Sequence, residues 1–253
     1  MDAVPVATAP QPLDLLLRTG TDVLASAFSA SSLVPGRRVL ALEGAGEPLR
    51  VVTSEDGARL AVIYADAVAV ASGPSLERVV VLPAKSILAH AAVFSPDGTT
   101  LLVASRKTSA AANMLAFNTE SGAEVAAFHQ RSVDADAWPP VRWNGDGSVA
   151  VRVLDNDSIH LLAGSLTGEP LARLAIPGVQ QAWLAPSSAA VRFLTFSPAT
   201  KSKPGAVAVW GFPRTDAPLA SKAMQADGCR AEAAGDGSAF LVEMNTSSSA
   251  TSY

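Results

Sequence analysis

Ala92-Val93-Phe94-Ser95-Pro96-Asp97-Gly98-Thr99-Thr100-Leu101-Leu102-Val103-Ala104 is the stretch that decides the fold. An apolar run enters an Asp-Gly turn and a second apolar run leaves it. Glycine accepts the positive φ that a tight turn demands, and β-branched and aromatic residues favour extended backbone, so the stretch reads as a β-hairpin. The same block recurs along the chain. Its turns are Ser54-Glu55-Asp56-Gly57, Ser95-Pro96-Asp97-Gly98 and Asn144-Gly145-Asp146-Gly147, with weaker copies at Ala185-Pro186-Ser187-Ser188 and Ala234-Gly235-Asp236-Gly237. The first residues of these turns are spaced by 41, 49, 41 and 49. A period in the forties with an Asp-Gly turn is that of a four-stranded propeller blade.

Further strands complete each unit. Third strands are expected at Ala67 to Val70, Met114 to Phe117, Ile159 to Leu162 and Val207 to Trp210. Fourth strands are expected at Arg78 to Leu82, Glu124 to Phe128, Leu171 to Leu174 and Ser221 to Met224. The polar run Asn118 to Gly122 supplies the turn between strands three and four. Leu13 to Arg18, Val23 to Phe28 and Arg38 to Leu42 make an irregular first blade. Ala220 to Ala226 has the best helical pattern of the chain, but it is short and abuts Asp227-Gly228, so it reads as strand or turn. The last unit has Arg230 to Ala233 and Ala239 to Met244, and then a Ser/Thr-rich end from Asn245 to Tyr253. The expected architecture is all-β: a partial WD40-like β-propeller of about five four-stranded blades, the first and last incomplete. The expected domains are a disordered, Pro-bearing tail at 1–12, the propeller at 13–244 and a truncated end at 245–253, the whole being a fragment of something longer.

Composition bounds the function. The chain has 253 residues, 49% of them hydrophobic and 17% charged, enough to bury a sizeable core. No run approaches the 18 or so apolar residues of a membrane-spanning helix, and no basic-then-apolar leader opens the chain, so no membrane partner is expected. The formal net charge is −4, a poor basis for coating nucleic acid by charge alone. One cysteine, Cys229, excludes an intrachain disulfide and fits a reducing compartment.

Catalytic signals are few, and the chain reads as a non-enzyme without cofactor or metal. His90, His129 and His160 have no paired-ligand spacing, and neither a Gly-x-Ser-x-Gly elbow nor a phosphate-binding glycine loop is present. Gly44-Ala45-Gly46 is a turn, and the Asp-Gly turns are turns before they are calcium sites. Cys229 reads as a buried, inert thiol. Trp143 and Trp210 should pack between blades, whereas Trp138, ahead of Pro139 in a connecting loop, is a candidate interface anchor. Arg142 and Arg152 lie in strands, and Asp155 or Asp157 could pair with Arg152.

Positive charge has a topological pattern. In a propeller, the loops joining strands two and three emerge on the same face as those joining strand four to the next blade. Arg106, Lys107, Lys201 and Lys203 lie in the first kind of loop, Lys85 and Arg131 in the second. With Trp138, these residues form a candidate RNA-contact face. Lysines favour loops for solvation alone, so the pattern carries a function only if the face binds phosphates.

A family resemblance adds to this. Asn113-Met114-Leu115-Ala116-Phe117-Asn118 through Gly122, then Phe128, Trp138-Pro139-Pro140, Trp143, Arg152, Asn156 and His160 form an ordered series. Ala206-Val207-Ala208-Val209-Trp210 precedes Phe212-Pro213, and the chain ends in Ala250-Thr251-Ser252-Tyr253. The series resembles the eukaryotic translation initiation factor 2A family, most closely between Asn113 and His160. The resemblance implies a multi-bladed N-terminal propeller and a cytoplasmic protein. It also implies binding to the small (40S) ribosomal subunit and recruitment of initiator methionyl-tRNA, with mRNA and other initiation factors as further partners. The competing expectations are a WD40-like protein-interaction scaffold without ribosome association, and a propeller attached to an enzyme.

Overall fold

In the computed structural model the described residues are 15–19, 22–26, 37–40, 42, 44–73, 76–106, 112–130, 138–154, 157–164, 166, 168–187 and 190–245, with only the backbone path described for 15–40 and for Asn245. The expected tail at 1–12 and the end beyond 245 lie outside them. The chain divides into two compact units, Met1–Phe128 and His129–Tyr253.

The first unit holds eleven strands: β1 (Leu15–Thr19), β2 (Asp22–Ser26), β3 (Arg37–Leu40), β4 (Arg50–Thr53), β5 (Arg59–Ile63), β6 (Val68–Ser72), β7 (Arg78–Leu82), β8 (Ile87–Phe94), β9 (Thr100–Ser105), β10 (Met114–Asn118) and β11 (Glu124–Phe128). They form a three-stranded sheet β1-β2-β3 and two antiparallel four-stranded sheets, β4 to β7 and β8 to β11, each in sequence order. The second unit has ten: β12 (Val141–Trp143), β13 (Val149–Leu154), β14 (Ser158–Ala163), β15 (Ala172–Ala175), β16 (Gln181–Leu184), β17 (Arg192–Ser197), β18 (Gly205–Gly211), β19 (Ala220–Met224), β20 (Gly228–Ala233) and β21 (Phe240–Asn245). They form the four-stranded sheets β12 to β15 and β16 to β19, then the pair β20-β21. No helix occurs among the described residues, and none long and apolar enough to cross a membrane is found there. The fold is an all-β, WD40-like propeller: four complete blades, with smaller sheets at each end of the series. The Ala220 segment with a helical pattern is β19, the outer strand of its blade, where Ala220 to Ala223 are exposed.

Burial follows position in the blade. β5 and β6 are buried almost throughout: one face packs against the next sheet through Phe94, Leu101 and Val103, and the other packs with Leu42, Ala45 and Leu76. The outer strand β7 is mostly exposed, Val79 and Val81 included. In the first unit Ile63, Val70, Phe94, Leu101, Val103 and Phe117 meet between two consecutive blades. In the second, Val151, Ile159, Leu161, Leu184 and Phe193 do the same, with Trp210 packed against them. The Trp210 ring lies 6.3 Å from that of Phe193 at an interplanar angle of 11°, and its Nε1 donates to Thr195 Oγ1 at 3.0 Å. Trp143 is anchored within its own blade, its Nε1 donating to the Gly164 carbonyl at 3.0 Å.

The repeated turn is a hydrogen-bonded cage. Ser95 Oγ donates to Asp97 Oδ1 at 2.6 Å and accepts from the Thr100 N–H at 3.0 Å, while the Thr99 N–H donates to the same carboxylate at 3.0 Å. Ser54, Asp56, Ala58 and Arg59 repeat this arrangement. In the third copy Asn144 Oδ1 replaces the serine hydroxyl, accepting from the Val149 N–H at 2.9 Å. Gly57, Gly98, Gly147 and Gly237 all have φ between 68° and 73°, so each turn needs its glycine. The copy at Ala185 is looser: Ala185 N–H reaches the carbonyl of Arg192, seven residues on, where the others span five.

Candidate functional site

The two kinds of loop that carry the candidate residues are bonded to one another. In the first unit Ser105 Oγ donates to the Lys85 carbonyl at 3.0 Å, and the Arg106 N–H donates to the Ser86 carbonyl at 2.7 Å. The connection into β8 is thereby pinned to the loop after β9, and the exposed side chains of Lys85 and Arg106 stand on adjoining backbone. In the second unit the Ala199 N–H donates to the Ala226 carbonyl at 3.0 Å, joining the loop after β17 to the connection into β20. Lys201 and Lys203 are exposed on that loop, which is held by the Lys203 N–H donating to Thr200 Oγ1 at 3.1 Å. The loop after β13 is tied to the connection into β16 in the same way, the Ile176 N–H donating to the Asp157 carbonyl at 2.7 Å, and the Val153 N–H near the end of β13 donates to the Pro140 carbonyl at 3.0 Å. Lys107 and Arg131 lie outside the described residues.

Trp138 is half-buried, and its peptide bond to Pro139 is cis. It lines a cleft of ≈ 590 Å³ in the second unit. The walls of the cleft come from the first strands β12, β16 and β20 of successive sheets, including Arg142, Trp183, Arg230 and Glu232. Composition did not single out Trp183, although the repeat contains the signal. Counting back from the turns at Asn144, Ala185 and Ala234, Arg142, Trp183 and Glu232 each stand two residues before the turn. Equal register on neighbouring strands puts them at one level, on one face of the pleat.

The guanidinium carbon of Arg142 sits 5.2 Å from the Trp183 ring centroid, a cation–π contact. Its Nε is buried without a hydrogen-bond partner, and desolvation pulls the arginine pKa down to about 10. Arg152 finds a backbone partner, donating from Nη2 to the His129 carbonyl at 2.9 Å. Asp155, one of its two expected carboxylate partners, lies outside the described residues. The His160 ring is held below its ordinary pKa by burial, with the nearby charges of Arg173 and Arg152 adding to the effect. Cys229 is buried and burial raises its thiol pKa, so the thiolate that would react is disfavoured. No group of three His, Cys, Asp or Glu side chains among the described residues is placed to hold a metal ion.

No protein-family model matches the chain. Over 110 residues it is 29% identical to eukaryotic translation initiation factor 2A of Schizosaccharomyces pombe, an alignment that takes in 44% of this chain and 18% of that protein. A solved structure described as the crystal structure of the eukaryotic initiation factor superposes with a TM-score of 0.72 at 24% identity, over 87% of this chain and 57% of that one. The match thus spans less than a fifth of the curated relative's length, and the structural likeness shows the fold.

Proposed function

We propose that this chain is a translation-initiation module that binds the small (40S) ribosomal subunit and supports recruitment of initiator methionyl-tRNA, acting in the cytoplasm. In this reading residues 13–244 form one partial propeller that works by positioning and carries out no bond chemistry. The observation that supports it most is the sequence likeness to an initiation factor 2A, in a chain where Lys85, Arg106, Lys201 and Lys203 stand on hydrogen-bonded loops. Rigid loops bearing Lys85 and Arg106 in one unit, and Lys201 and Lys203 in the other, suit phosphate contacts that fix orientation without reading sequence. Such contacts make affinity fall with salt, one released counterion for roughly each phosphate neutralised.

Sedimentation of the purified chain with small subunits tests this. Reversing Lys201 and Lys203 to Glu together should weaken binding at low salt by roughly tenfold or more and flatten its salt dependence by about two phosphates' worth. Unchanged comigration after reversal at Lys85, Lys201 and Lys203 would remove these residues from the interface. Absence of comigration by the unaltered chain would favour the second reading, a protein-interaction scaffold. Half-buried Trp138, beside an open cleft, is the observation that favours that reading.

A further inference from the structure

Arg152, His160 and Arg173 stand in one row across the sheet β12 to β15. Arg152 is opposite His160 between β13 and β14, and His160 is opposite Arg173 between β14 and β15. Residues opposite one another on neighbouring strands point to the same side of a sheet. The next row, Val153, Ile159 and Leu174, points the other way, into the apolar core formed with β16 and β17. Among the described residues, no other cross-strand row in the four complete blades holds three ionisable side chains. Like charges set opposite one another repel, and the row itself contains no carboxylate. Glu169 reaches Arg173 from only four residues back, so the pair ties no distant segment. Arg59 and Arg78, with Ser72 between them on a row of β5 to β7, have a structural use by contrast. Both clasp the turn of the next blade at Glu120, one at its carboxylate and the other at its carbonyl. The Arg173 and Glu169 side chains are 60% and 87% exposed, so water screens the pair and a stronger anion can replace the carboxylate.

From this arrangement we infer that the Arg152–His160–Arg173 face of β13 to β15 is a binding surface for single-stranded RNA, with a backbone phosphate on Arg173 and a base against His160. All three side chains are planar. A guanidinium fork matches phosphate oxygens bidentately, and guanidinium and imidazole planes both stack on unpaired bases. An acidic peptide would use the charge alone, for which lysine serves as well, and no lysine stands in the row. His160 tunes the surface. Burial and the charges of Arg173 and Arg152 hold its ring below the ordinary value, against the pull of Glu169, so it is mainly neutral at pH 7. A phosphate brought to the row favours the imidazolium, so binding takes up a proton there. Arg152, whose Nη2 donates to the His129 carbonyl, is half-buried and adds its charge from the far end. This surface is a blade face, separate from the loops of the proposed ribosomal contact, and it does not depend on that reading.

Fluorescence anisotropy of labelled oligouridylate with the full chain tests it, beside the same strand in duplex with oligoadenylate and an oligoglutamate of equal charge. Salt-dependent binding of the single strand, tighter than that of the duplex or the oligoglutamate, is the expected result. R173Q should weaken it by roughly threefold to tenfold and lower the salt slope by about one. E169Q, which releases Arg173 from its carboxylate, should tighten it by roughly twofold to fivefold. R214Q and E55Q, at exposed residues of other sheets, give the change that loss of any one surface charge brings, and the row variants must exceed it. Affinity should rise severalfold from about pH 7.5 to about pH 5.5, and H160Q should remove most of that rise. Absence of binding at low salt overturns the inference, as does an R173Q or E169Q effect no larger than its control at an unchanged melting temperature. Tighter binding of oligoglutamate would also overturn it and make the row a contact for an acidic protein. Tighter binding of the duplex would do so too, since stacked bases leave the planar side chains nothing to cover. Free RNA is the probe, so any of these failures leaves the ribosomal reading standing, and lost comigration with small subunits leaves this surface standing.

Discussion

Gly164 has no room for a methyl group. A Cβ built there would lie 1.6 Å from the Gly147 carbonyl oxygen, because the turn after β14 is pressed onto the turn before β13 and bonded to it through Gly164 N–H and the Ser148 carbonyl. The Gly164 carbonyl, in turn, receives the Trp143 indole. Gly164→Ala must therefore push these backbone segments apart and should cost roughly 1–3 kcal/mol or more, as overpacking does. Gly235→Ala meets nothing within 4 Å and should stay within about 0.5 kcal/mol of the parent. Urea midpoints of the two variants measure the difference, and equal midpoints would contradict the close approach. The position was invisible as sequence, since a lone glycine after Ala163 has the form of any turn residue.

At the scale of the element, the turn cage is the repeating unit. Ser54 Oγ and the Ala58 N–H hold the Asp56 carboxyl below its ordinary pKa, with Arg59 adding to the effect against burial. For Asp97 burial is the largest influence and acts upward, but the Ser95 hydroxyl, the Thr99 N–H and hydroxyl and the Arg59 charge together outweigh it. Both groups bind protons less readily folded than unfolded. Their stabilisation is complete above the ordinary carboxylate pKa of about 4 and is lost as pH falls through the lowered folded values. Asp97→Asn, whose Oδ1 can still accept from Thr99, should leave the chain less sensitive to acid as pH falls from about 4 through those lowered values. Unfolding midpoints followed against pH check this, and parallel curves for parent and variant would refute it. A second tie joins the two turns at one end of a blade: buried Thr119 donates from Oγ1 to the Gly98 carbonyl at 2.8 Å. Thr119→Val keeps the shape and removes the donor, and should cost about 1 kcal/mol, read from the same urea midpoints.

For the whole molecule, the consequential feature is the last sheet. β21 pairs with β20 on one side, and among the described residues no strand pairs its other side. Leu241 is 74% exposed and Met244 44%. An apolar strand with a free row of backbone donors and acceptors is a template for pairing between copies. The isolated chain should self-associate as its concentration rises, and Leu241→Lys should suppress this without lowering the melting temperature, because the side chain it replaces is already solvated. Analytical ultracentrifugation of both forms decides it. A parent chain that stays monomeric at high concentration would show that the edge is covered. Among the described residues, the repeat unit that has four strands in β16–β19 has two here.

What the amino-acid sequence determined by itself is local and periodic. The Ser-x-Asp-Gly turns, the glycines at positive φ and the apolar runs beside them specify hairpins through nearest-neighbour chemistry, so blade order and loop identity were legible from Ser54 to Ala239. The Lys85–Arg106 and Lys201–Lys203 loops were placed by the same logic. Pairing between distant strands was left to the tertiary structure, because burial and register there depend on which faces meet. Arg142 and Trp183 are 41 residues apart and unremarkable singly. Only the packing of β16 against β12 lays the indole under the guanidinium and leaves its donors facing a cleft. The carbonyl that satisfies Arg152 is likewise chosen by chain path, since a backbone acceptor leaves no mark in side-chain identity.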